Sequence, residues 1–139
     1  MDLSTYKNSV EHDPENGLYG DCYRVCIAWL LRVPPSDVPH FAEDGPDSDW
    51  QDRERKWLAD RGLSSVSIPF MADNDVDGVL NTIACNNLNA RYMLCGAGKA
   101  GVNHCVGCEG DAIVMDSTGS GVEGPTDDGF FWVEFLSPL

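Results

Sequence analysis

The spacing of apolar positions along the chain changes from helical to alternating and then to short runs. Val25, Ala28, Trp29 and Leu31 recur at helical spacing and give a broad apolar face, which predicts a central first helix. Asp21 is the expected N-cap; the helix runs through about Arg32, and Val33-Pro34-Pro35 stops it. Ser36-Asp37-Val38-Pro39 predicts a short turn that lays Phe41 on the core. Ser48-Asp49-Trp50-Gln51 has the form of a capping box. It predicts a second helix through about Asp60, with Trp50, Trp57 and Leu58 inward and Arg61-Gly62 as its end.

Leu63 to Phe70 nearly alternates and predicts a strand. Asn74 or Asp75 then caps a short helix through Val79, Leu80, Ile83 and Ala84. The remainder is strand-rich: Arg91–Cys95, Asn103–Cys108, Ala112–Met115 and Phe130–Phe135. Gly96-Ala97-Gly98, Glu109-Gly110-Asp111 and Thr118-Gly119-Ser120-Gly121 are the expected turns between them. Helices come first and an antiparallel sheet follows, so the fold class is α+β. Residues 1–139 form one domain, with residues 1–15 as a polar lead-in.

Composition narrows the function. A hydrophobic content of 42% in 139 residues suffices for a core. No run is long and apolar enough for a membrane span, and Met1-Asp2-Leu3-Ser4-Thr5 lacks a signal pattern, so a cytoplasmic protein is expected, in a host cytoplasm if the source is a phage. The net charge of −14 argues against nucleic acid as a partner. Six cysteines in such a chain are expected to be reduced thiols, with Cys26 in the core.

The chemistry-bearing residues fall in a definite order. Cys22 stands where a glycine-containing loop enters the first helix. Unpaired N–H groups and the positive end of the helix dipole there favour a thiolate. Asp21, directly before it, opposes that ionisation unless it turns away as a cap. A hairpin turning at Gly110-Asp111 brings together the strand ends that carry His104 and Asp116. A thiol, an imidazole and an orienting carboxylate are the groups of a cysteine hydrolase. His12 and His40 read as turn or surface residues, and Trp29, Trp50 and Trp132 as core rather than groove.

The run Gly20-Asp21-Cys22-Tyr23-Arg24-Val25-Cys26-Ile27-Ala28-Trp29-Leu30 resembles the nucleophile helix of papain-like cysteine peptidases. Asn103-His104-Cys105-Val106-Gly107 followed by Ile113-Val114-Met115-Asp116-Ser117 resembles their His strand and Asp-bearing strand. The nearest likeness is to small bacteriocin-processing (double-glycine) peptidases and compact phage or prophage proteins, over about residues 14–136. The resemblance implies a papain-like fold, with Cys22 as nucleophile, His104 as general base and acid, and Asp116 as orienter. It implies a peptide or protein substrate and no cofactor. The family places a Gln six positions before the Cys as an oxyanion-hole donor; here Asn16 stands there, one methylene shorter.

Three other readings compete. Cys95, His104, Cys105 and Cys108 include a Cys-x-x-Cys pair, half of a zinc site, although Cys105 and Cys108 on one strand point to opposite faces. A thioredoxin-like use of that pair requires it to open a helix. A catalytically inert protein on the same fold could instead bind and inhibit a host protein, with mimicry of DNA as the acidic extreme.

Overall fold

In the computed structural model, residues 3–71, 73–99 and 101–139 are described. Three helices, α1 (Cys22–Leu31), α2 (Trp50–Ala59) and α3 (Val76–Asn86), accompany five strands: β1 (Leu63–Met71), β2 (Arg91–Ala97), β3 (Asn103–Glu109), β4 (Ala112–Met115) and β5 (Phe130–Pro138). The strands form one antiparallel sheet in the order β1-β5-β2-β3-β4. The α+β class is observed, and the sheet takes in the strand expected over Leu63 to Phe70 together with the four C-terminal ones. Strand β1 precedes α3 in the chain and pairs along its whole length with β5, from Leu63–Pro138 to Met71–Phe130.

Alternation along the inner strands sends successive side chains to two cores. Met93 and Cys105 face a cluster with Val25, Cys26, Ile27, Ala28 and Trp29 of α1. Tyr92, Leu94, Val106 and Cys108 face a second cluster with Val79, Leu80 and Ile83 of α3. The sheet is therefore covered by α1 on one face and α3 on the other. Helix α1 comes close to β3 at Gly107, where an added Cβ would lie 2.6 Å from the Trp29 ring. The missing side chain lets the helix settle on the strand.

Several local expectations need correction. The polar lead-in is not a loose tail: Tyr6 is buried with the α1 core. Helix α2 has Asp49 at its N-cap with no side-chain cap bond; the Ser48 hydroxyl donates to the Gly45 carbonyl instead. Strand β2 runs through Gly96 and Ala97, so the turn begins later than the glycines suggest. The cap of α3 is Asp75, whose carboxylate accepts from Gly78 N–H at 2.7 Å.

Candidate active site

Cys22 is the first residue of α1 and is half-buried. The loop before it is held by two histidines that local sequence left as turn residues. Gly20 N–H donates to His12 Nδ1 at 3.1 Å, and His40 Nε2 donates to the Tyr19 carbonyl at 2.7 Å. Asp21 occupies the N-cap position, but its side chain does not cap the helix. Its buried carboxylate turns to the lead-in, accepting from Ser9 N–H (3.0 Å), Ser9 Oγ (2.7 Å) and Val10 N–H (3.1 Å), with Arg24 at 3.6 Å. The carboxylate beside Cys22 is thereby held by donors from the lead-in and by Arg24 of α1.

The hairpin performs as its sequence predicts. Gly110 adopts φ 57°, the turn closes over Gly110-Asp111, and His104 meets Asp116. His104 is buried, and its Nε2 bonds Asp116 Oδ1 at 2.7 Å. An ionised carboxylate is acceptor-only, so Nε2 carries the proton and Nδ1 is left as the acceptor nitrogen. The Cys22 thiol lies beside this ring, and each group acts on the acidity of the other.

Asp116 is fixed in turn by a nest of backbone donors. Gly119 N–H (3.0 Å) and Thr118 N–H (3.3 Å) reach Oδ1, and Gly121 N–H (2.8 Å) reaches Oδ2. Gly119 (φ 75°) and Gly121 (φ 68°) supply the left-handed backbone that aims these donors inward. Burial opposes the Asp116 charge, but His104 and the Gly121 N–H outweigh it and hold the carboxyl below its ordinary range. For His104, burial disfavours the imidazolium; Cys22 and Asp116 outweigh it, so its pKa lies above 6.5.

Cys22 departs from the thiolate expected at a helix N-terminus. A hydrogen bond with Cys105, then burial, push its thiol well above the ordinary value of 9.0, and His104 offsets this only in part. A neighbouring thiol and desolvation outweigh the imidazole here. At rest the site holds Cys22 as a thiol beside the His104 ring.

Asn16 is not brought into this arrangement. It ends an exposed turn over Pro14–Asn16, and its Nδ2 donates to Asp13 Oδ2 at 2.7 Å. A different amide approaches the site. Asn8 Oδ1 accepts from the hydroxyl of Ser117, next to Asp116, at 2.5 Å, and its Nδ2 lies 3.5 Å from where a Cβ on Gly20 would sit. The lead-in thus ties both halves of the site together. Its signal in the sequence was the aromatic Tyr6 in an otherwise polar stretch.

Cys105 and Cys108 fall into different clusters on opposite faces of the sheet, so they cannot share one metal ion. Among the described residues, no group of three or more His, Cys, Asp or Glu is arranged to hold a metal. No helix among them is long and apolar enough to cross a membrane. Trp29 is buried in the core, whereas Trp50 and Trp132 are half-buried. Comparison with protein-family models, with curated proteins and with solved structures finds no match for this chain.

Proposed function

We propose that the protein is a cysteine hydrolase of papain-like type, cleaving a peptide, isopeptide or related amide bond. The observation that carries this reading is the His104 ring, bonded through Nε2 to Asp116 at 2.7 Å and in contact with Cys22 at the start of a buried helix. In the reaction, His104 Nδ1 takes the Cys22 proton as the sulfur attacks the carbonyl carbon. The same proton passes to the leaving amine as the C–N bond breaks and a thioester forms. Water, giving a proton to Nδ1, then attacks the thioester and releases the acid and the thiol.

The oxyanion formed on attack lies against the first N–H groups of α1, which have no helical carbonyl partner. Asp116 keeps the ring in the required tautomer and stabilises the imidazolium. Incubation with p-nitrophenyl acetate tests the reading: a burst of p-nitrophenol with an acetyl group on Cys22, lost in Cys22→Ser and His104→Ala, supports it. Release without acylation of Cys22 counts against it.

A second reading, a catalytically weak protein of phage type that binds and inhibits a host protein, draws support from two observations. The Cys22 thiol is held protonated by its neighbour and by burial, and Asn16 is turned to Asp13. On that reading, acylation is absent while His104 and Asp116 remain paired.

A further inference from the structure

Beyond the triad, α1 and β3 bring more thiols together than hydrolysis uses. Cys105 follows His104 on β3, on the face that packs against α1, and Cys22 packs against the same cluster. Each thiol is the strongest influence on the other's acidity. Cys95 is the direct cross-strand partner of Cys105, and each acts on the other's acidity. Buried Cys105 therefore lies between two half-buried thiols, Cys22 of the site and Cys95 of β2. Cys105 is 9% exposed and Cys22 is half-buried at the mouth of the site, so a hydroperoxide that enters there meets Cys22 before Cys105.

We propose that Cys22 and Cys105 close a reversible disulfide when a hydroperoxide enters the site, removing the thiol from reaction. In the first step the Cys22 sulfur attacks the peroxide O–O bond. Its proton, held on His104, passes to the leaving oxygen; an alcohol or water departs and a sulfenic acid remains. The Cys105 sulfur then displaces hydroxide from the Cys22 sulfur, and its own proton completes a water molecule. Two thiols are oxidised by two electrons and one peroxide is reduced. A dithiol reverses the change by thiol–disulfide exchange. The buried partner protects Cys22 from further, irreversible oxidation.

Loss of activity on oxidation rests on the hydrolase reading, whereas the bond itself does not. The test is to treat the full chain with hydrogen peroxide, block remaining thiols, and map cross-links by peptide mass spectrometry with and without dithiothreitol. The expected result is loss of two of the six free thiols, with a Cys22–Cys105 peptide that dithiothreitol abolishes. In Cys105→Ala, Cys22 should advance to sulfinic and sulfonic acids that dithiothreitol does not reverse. The wild-type map stands alone if that variant fails to fold. Sulfinic acid on Cys22 with Cys105 still free, a bond confined to Cys95–Cys105, or oxidation limited to exposed Cys85 would each overturn the proposal. A mapped Cys22–Cys105 bond in a protein that never acylates would leave the disulfide standing and sink the hydrolase reading alone.

Discussion

The hydroxyl of Tyr23, the residue after Cys22, donates to Glu134 Oε2 on β5. Glu54 of α2 lies against the same pair, and Ser65 favours the charged form of both carboxyls; Arg55 does the same for Glu54. Both carboxyls are buried. Burial, reinforced by Glu54, pushes Glu134 up to about 8, and burial raises Glu54 as well. The folded state therefore keeps a proton that unfolded Glu releases near 4.5. Between about 4.5 and about 8 the native protein binds more protons, so stability falls as pH rises through that window. Melting measured at pH 6 and pH 8.5 should show a lower Tm at the higher pH, by several degrees for a loss on the order of 1 kcal/mol or more. Glu134→Gln should flatten this dependence.

Asp116→Asn keeps the size of the side chain and removes the charge from His104. His104 should then titrate lower, by about one to two pH units, as read by NMR of the ring protons. Hydrolytic or acylation rate at Cys22 should fall about 10²-fold or more. A drop in rate with an unchanged His104 titration would mean that Asp116 acts on the fold and not on the imidazole.

Asp21→Ala removes the acceptor of Ser9 and Val10 and strands their donors beneath the site loop. Loss of a buried charged acceptor of this kind costs about 3 kcal/mol, measurable by urea unfolding. Asp21→Asn, which retains one acceptor oxygen, should cost less. Because the same contacts anchor the lead-in, protease cleavage between Lys7 and Asn8 should accelerate in the Ala variant.

Gly107→Ala places a methyl group where the Trp29 ring lies 2.6 Å away. Relief requires α1 to lift from β3, at a cost of about 1–3 kcal/mol. Since α1 carries Cys22 and β3 carries His104, acylation of Cys22 should fall as well. Unchanged stability in urea would show that the helix and strand are not in the close contact described.

The chain's own patterns reveal much of this arrangement, and distance explains what they hide. His104 and Asp116 are legible together because a two-residue turn at Gly110-Asp111 folds their strands back on each other, while the register shift at Gly107/Cys108 that sets their final pairing is not legible. Cys22 is legible as the start of a buried helix because Val25 to Leu31 leave little polar face. The raised pKa of Cys22 is not, since it depends on Cys105, which comes from a distant strand, and on burial that only packing creates. Asn16 shows the limit of spacing as a guide: its local neighbour Asp13 captures the amide. The partners of Asp21 were hidden for a similar reason, because Ser9 and Val10 carry no pattern that marks them as donors. The nest around Asp116 was visible only as a glycine-rich turn, whose dihedral angles decide where its N–H groups point.

Central to this account is a proton shared between Cys22 and His104. The direct measurement is the pH dependence of iodoacetamide alkylation at Cys22, resolved by peptide mass spectrometry, in the wild-type protein and in His104→Ala. We predict that wild-type labelling rises as His104 loses its proton, at a pH above 6.5, and that in His104→Ala it rises only above pH 9. The same profile in both proteins, that of an ordinary thiol with a pKa of about 8.5, would contradict the account.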